Sequence, residues 1–302
     1  MVKSIERRVD IELVRVLACI AIVYFHSGVL TGAMRSFAYS GLVVFIIISV
    51  CYLSSQSSIK KVARPMAAKL LAPYVIWSFV FLALYTVIVG KPISDYVKLQ
   101  TLFAGTSIHL WYLPFAYLVL LFSILIKQKI PSNILSLIAG VSFLVWISLS
   151  LEWRGMVQST PLPIPQYAHA FGAVLLGLWV SGFRGWINGM IFAFSMFLSL
   201  YIAVYKDTGV GVVYFVGMLF CLLLMFGTSI NRYLQHIKGF VFFVAPLTYG
   251  IYIVHPIGLA VLSKVGISEA AWGPLLVFLG SAVFVYFGQR LLPKKISSIV
   301  LP

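Results

Sequence analysis

The chain has 302 residues, 62% of them hydrophobic and 10% charged, with a formal net charge of +15 and a mean hydropathy of +1.05. A soluble domain carries about a quarter charged residues to cover its surface, so this composition excludes a soluble globular protein and points to an all-α integral membrane protein. The excess of positive charge imitates a nucleic-acid binder, but the basic residues fall in short loops between apolar runs, which membrane topology explains. No nucleic-acid partner is expected.

Apolar runs long enough for a hydrocarbon core of about 30 Å recur near residues 11–30, 39–55, 70–89, 109–126, 133–150, 166–182, 186–204, 209–228, 239–263 and 272–291. The expectation is a bundle of about ten transmembrane helices. No polar stretch is long enough for a separate soluble domain, so 1–302 reads as one transmembrane domain. The first run is too long for a signal-peptide core and no small-residue cleavage site follows it, so it is read as retained.

With the N-terminus inside, fifteen Lys/Arg fall on the cytoplasmic side (Lys3, Arg7, Arg8, Lys60, Lys61, Arg64, Lys69, Lys127, Lys129, Arg184, Arg232, Lys238, Arg290, Lys294, Lys295). Six fall opposite (Arg35, Lys91, Lys98, Arg154, Lys206, Lys264), together with Asp95, Glu152, Asp207 and Glu269. That bias predicts cytoplasmic termini. The longest connections are about 90–108 and 151–165; the second, with Pro161, Pro163 and Pro165, is expected to be stiff and extended rather than helical. Cys19, Cys51 and Cys221 all lie inside apolar runs, are odd in number and lack metal-like spacing, so neither a disulfide framework nor a metal site is suggested.

The first run carries ionisable residues. Eleven residues separate Arg15 from His26, and at ~100° per residue they return to within roughly 20° of one face, displaced ~16 Å along the axis. Arg15 is then near the cytoplasmic boundary and His26 in the far half. Glu12, three residues before Arg15, shares the stripe and is placed to pair with it. The bland alternative has Arg15 snorkelling to headgroups and His26 hydrogen-bonded to another helix. Ionisable groups within a membrane nevertheless tend to mark functional cavities.

Glu-x-x-Arg followed by His26 resembles the first helix of the membrane-bound acyltransferase-3 family, which usually has Asp where Glu12 stands. LLAPYVIWS (Leu70 to Ser78) after Lys69 looks like the family's basic-leader L-x-x-P-Y start of the third helix. There Lys69 replaces a common arginine and Arg64 sits off the usual spacing. HLWYLP (His109 to Pro114) is similar to the start of its fourth helix. PLTYGIYIVHP (Pro246 to Pro256) is similar to its late Tyr-rich helix ending in His-Pro. Ten spans with cytoplasmic ends is also the family's layout, and the chain's end eleven residues past its last span implies the stand-alone form.

The resemblance implies a bacterial cytoplasmic-membrane enzyme. It would move an acyl group, acetyl from acetyl-CoA being the expected donor, to a hydroxyl of a cell-surface polysaccharide or its lipid-linked precursor. The partners are then the bilayer and a sugar acceptor, with no metal. Such chemistry needs a base for the hydroxyl proton and a cation for developing charge. His26 is the candidate base or transient acyl carrier, since histidine titrates near neutrality. Arg15, supported by Glu12, keeps its proton and suits a phosphate or thioester oxygen. Lys69 and Arg64 are expected at the donor mouth with Lys60 and Lys61, although topogenesis alone accounts for these lysines.

His255, expected near mid-membrane before the helix-kinking Pro256, is either a structural bond across the bundle or a site residue, with Tyr249 and Tyr252 beside it. His109, Trp111 and Tyr112 form either an interfacial aromatic belt or an acceptor platform. Arg154 and Glu152 would lid the site. His169 fits either class, and His236 reads as solvated. A multi-pass transporter or flippase is the rival, but its usual mid-membrane carboxylates and paired broken helices are missing from the sequence.

Overall fold

Every regular element among the described residues is a helix, in a computed structural model that describes residues 8–53, 58–90, 92–96, 98–206, 209–226, 232–267 and 270–301. Lys3, Arg7, Lys91, Asp207 and Glu269 of the charge tally lie outside them. The first half comprises α1 Val9–Ser27, α2 Gly32–Cys51, α3 Ile59–Val89, the one-turn α4 Thr101–Ala104, α5 Tyr112–Lys129, α6 Ser132–Ser148 and α7 Ser150–Gln158. The second half comprises α8 Ile164–Ser181, α9 Gly185–Tyr205, α10 Val210–Phe226, α11 Lys238–Val244, α12 Thr248–Lys264, α13 Gly273–Leu291 and α14 Lys294–Val300. Tight 3-10 turns at Ile93–Tyr96 and Ile108–Trp111 occupy the long connection before α5.

Six helical stretches among the described residues are long and apolar enough to cross a membrane, or seven if the bent pair α6 and α7 is one span. The expectation of about ten spans also counts α1, which carries Asp10, Glu12 and Arg15, together with α8 and the 17-residue α10. Large apolar side chains face outward: Phe79 is 67% exposed, Val87 82% and Phe197 66%. A soluble protein rarely presents so much contiguous apolar surface, whereas acyl chains would cover it. Inside, α1 packs on α2, α12 and α13, and α2 packs on α8 and α10.

Connections gather at two opposite ends. At one, the Arg8 guanidinium donates to the Leu224 carbonyl at 3.3 Å, Lys127 Nζ to the Val50 carbonyl at 2.6 Å, and the Ser136 hydroxyl to the Trp179 carbonyl at 2.8 Å. Lys127 thereby supplies a cation and a donor to the open C-terminus of α2. At the other end the Tyr24 hydroxyl donates to the Ala271 carbonyl at 3.0 Å, and the end of α1, the start of α2, α7 and the starts of α8 and α10 surround a cavity.

One expectation is corrected. The segment 151–165 is not extended: α7 covers Ser150–Gln158, bent 67° from α6, and α8 begins at Ile164. No proline lies within Ser150–Gln158 to break a helix. Pro165 sits in the first turn of α8, where a missing N–H removes no helical bond.

Candidate active site

Two backbone features place His26. It occupies the last turn of α1, and Gly28 closes the helix two residues later with φ +76°, a left-handed conformation that glycine reaches without strain. One face of α1 is held tightly on α2 at Gly41. A Cβ there would lie 2.5 Å from the Ala18 carbonyl oxygen, so only glycine lets the two backbones come this close.

α12 supplies His255. Pro256 has no N–H, so the Tyr252 carbonyl one turn earlier loses its helical donor. The His255 ring replaces it: Nδ1 donates to the Tyr252 carbonyl at 2.7 Å. In the neutral ring that bond puts the proton on Nδ1 and leaves Nε2 as an acceptor. Nε2 is buried and has no hydrogen-bond partner. The freed carbonyl thus sets the tautomer of the histidine beside it. His255 lies level with the last turn of α1, its ring centroid 5.2 Å from that of His26.

The 3-10 turn Ile108–Trp111 brings the third histidine. His109 Nε2 lies 3.1 Å from the Ile253 carbonyl, which only accepts, so Nε2 carries the proton. In the neutral ring Nδ1 then accepts from the Ser107 hydroxyl at 3.0 Å, and Ser107 lies 3.2 Å from the Tyr85 hydroxyl. The Tyr252 hydroxyl donates to the His109 carbonyl. The turn is therefore latched to α12 at two points. The His109 centroid is 6.4 Å from that of His26 and 5.4 Å from that of His255. His109, Trp111 and Tyr112 are buried inside the protein, with Tyr112 5.4 Å from Tyr252, so they are not an interfacial belt.

Beside His26 opens a cavity of about 570 Å³ whose walls include Trp111, Tyr252, Tyr39, Trp153 and Ile22. Its polar lining comes from Arg35, Ser36, Arg154, Gln158, Gln166 and His169. Sequence reading named Arg154 and His169 here but counted Arg35 only for topology and missed Gln166 and Tyr39. Glu152 is exposed and does not line the cavity, and His236 is exposed.

The residues expected at the donor mouth do not line this cavity. Arg15 pairs with Glu12, Nη1 to Oε2 3.0 Å, as their spacing requires, and its side chain is 33% exposed. Arg64 and Lys69 are exposed on α3. Lys69 contributes its backbone instead: Pro73 removes the helical donor to the Lys69 carbonyl, and the Tyr249 hydroxyl of α12 supplies one at 2.9 Å.

The acyltransferase-3 family model, described as an acyltransferase domain, matches residues 8–288. No curated protein and no solved structure matches the chain. The match runs from the start of α1 into α13 and includes all three clustered histidines. With its apolar outer faces and membrane-length helices, the chain belongs to the acyltransferase-3 family and is a multi-pass membrane protein.

Proposed function

We propose that this protein moves an acyl group, acetyl being the expected one, from cytosolic acyl-CoA to a hydroxyl of a cell-surface polysaccharide or its lipid-linked precursor. It would sit in the bacterial cytoplasmic membrane with ten crossings and cytoplasmic termini. The observation that carries this reading is the convergence of His26, His109 and His255, from three distant segments, beside a cavity of about 570 Å³.

His26 is the one of the three histidines that lines the cavity, so it is assigned the acceptor hydroxyl. In the transfer, the hydroxyl oxygen forms a C–O bond with the acyl carbon as the thioester C–S bond breaks. The hydroxyl proton passes to His26 and then to the departing thiolate, which leaves the enzyme unchanged. His255, with its unpaired Nε2 behind His26, gives the imidazolium a nearby acceptor. His109 braces the group through its bonds to Ser107 and Ile253, and Trp111, Tyr112 and Tyr252 shape the acceptor side. Arg15, held by Glu12, is assigned the phosphates of acyl-CoA, with Lys69 and Arg64 at the same mouth.

The test is a His26→Ala variant expressed at wild-type level in a strain lacking the gene, with O-acyl groups on surface glycan measured by mass spectrometry. A fall of about a hundredfold or more is expected from the loss of a general base. Unchanged acylation would remove His26 from the mechanism. Loss of the glycan itself in the deletion strain, rather than of its acyl groups, would favour a transporter.

A further inference from the structure

Resting on the acyl-transfer reading, we infer that the acceptor is an anionic sugar, whose carboxylate or phosphate oxygens are held by Arg154 and Arg35 while its hydroxyl meets His26.

Among the described residues, Arg35 and Arg154 are the only formally charged side chains lining the cavity, and no Asp or Glu lines it. Two described arginines in the first half of α1 or just before it are paired: Arg8 with Asp10 at 2.5 Å and Arg15 with Glu12 at 3.0 Å. Neither Arg35 nor Arg154 has an acidic partner among the described residues. Arg35 lies over the Phe25 ring, Cζ 5.1 Å from its centroid, which orients the guanidinium without neutralising it. Arg154 Nη1 is buried and has no hydrogen-bond partner. A buried, unpaired charged donor is costly, more so than a neutral one. Arg35 is exposed but lines the same cavity, so the two cations repel each other there; an oxyanion relieves that repulsion and the burial cost at Arg154 Nη1, since the guanidinium fork matches carboxylate and phosphate geometry.

Two more groups suit a sugar rather than a bare ion. Gln166 Oε1 and His169 Nδ1 are buried without partners, and they would serve hydroxyls on the ring that bears the charge. Trp111, Trp153 and Tyr39 add aromatic wall. A volume of about 570 Å³ lies within the range of small-molecule sites. Topology gives an independent reason. Arg35 and Arg154 fall on the side from which the positive-inside bias removes basic residues, so insertion does not account for them.

A carboxylate of an acidic sugar and a diphosphate joining sugar to lipid share this chemistry, and the acceptors in the test separate them. The purified protein in detergent is assayed with acetyl-CoA and three acceptors. These are an oligosaccharide containing a uronic acid, the same oligosaccharide with its carboxyl reduced, and the reduced oligosaccharide linked to a polyprenyl diphosphate. One charged acceptor is expected to exceed the reduced one by about ten- to a hundredfold in kcat/KM, the effect of one or two charge-assisted hydrogen bonds. The charged form that wins names the source.

Arg154→Gln should bring that ratio close to one, and Arg154→Lys should leave it intermediate; a purely structural arginine would lower both rates together and leave the ratio unchanged. An active wild type with equal rates on all three acceptors overturns the inference. Thermal stabilisation by each acceptor without acetyl-CoA separates this inference from the reading beneath it. A shift confined to charged acceptors and lost in Arg154→Gln upholds the oxyanion site even if no acyl group is transferred. No such difference overturns the site even if transfer occurs.

Discussion

Prolines in this bundle free backbone carbonyls that nearby side chains then bond, once within a helix and once between α3 and α12. Pro256 frees the Tyr252 carbonyl for His255 Nδ1, and Pro73 frees the Lys69 carbonyl for the Tyr249 hydroxyl. A buried carbonyl left without a donor costs about 1–3 kcal/mol, the scale of the His255–Tyr252 bond; the Tyr249–Lys69 bond is exposed and is worth less. A double-mutant cycle isolates it. Tyr249→Phe should lower thermal stability in detergent. In a Pro73→Ala background, where residue 73 regains an N–H for the Lys69 carbonyl, the same substitution should lower it much less. Equal losses in both backgrounds would refute the capping account.

The same scale explains what sequence reading reached. Glu12 and Arg15 lie one turn apart, so their ion pair follows from helix geometry. His26, His109 and His255 are individually conspicuous, but nothing local in the sequence sets their separation, because the helices between them decide it. For His109, depth alone left an interfacial belt open; burial against Ile253 closed that alternative.

At the level of elements, the approach of α1 to α2 sets where His26 stands. Gly41 lies against the Ala18 carbonyl with no room for a methyl group. Gly41→Ala should therefore push α1 outward or strain it, costing about 1–3 kcal/mol as overpacked sites do. Because His26 lies two turns beyond Ala18 on the same helix, activity should fall further than stability does. Wild-type turnover in Gly41→Ala, measured on membranes with matched protein levels, would show that the contact does not position the histidine. Hydropathy located the long helices because apolar length is a property of each segment. It did not find the 67° break that turns α7 back toward the cavity. The three prolines near residue 163 suggested an extended loop, although they end up after one helix and inside the first turn of the next. Nor did hydropathy single out Arg35, whose sign against the positive-inside bias was the available signal.

For the whole molecule, the proposed orientation rests on the charge count, while the grouping of connections says which elements share an end. Fifteen basic residues on one side against six on the other favour cytoplasmic termini. Contacts such as Arg8 with Leu224 and Lys127 with Val50 join chain ends from the basic side, while the cavity draws on connections from the opposite side. In the proposed orientation Arg15 would face the compartment that supplies acyl-CoA, and the cavity the surface where the proposed glycan acceptor is assembled. Single cysteines in a background with Cys19, Cys51 and Cys221 replaced by serine read this directly. In intact cells a membrane-impermeant maleimide should label Lys206→Cys and Lys264→Cys. Lys129→Cys and Arg184→Cys should react only after the cells are opened. The inverse pattern would put the cavity in the cytoplasm and detach it from surface glycan. Labelling of Lys129→Cys together with Lys206→Cys in intact cells would mean that α9, or one of the helices between α5 and it, does not cross. The ten-crossing layout would then fail even if the histidines proved catalytic.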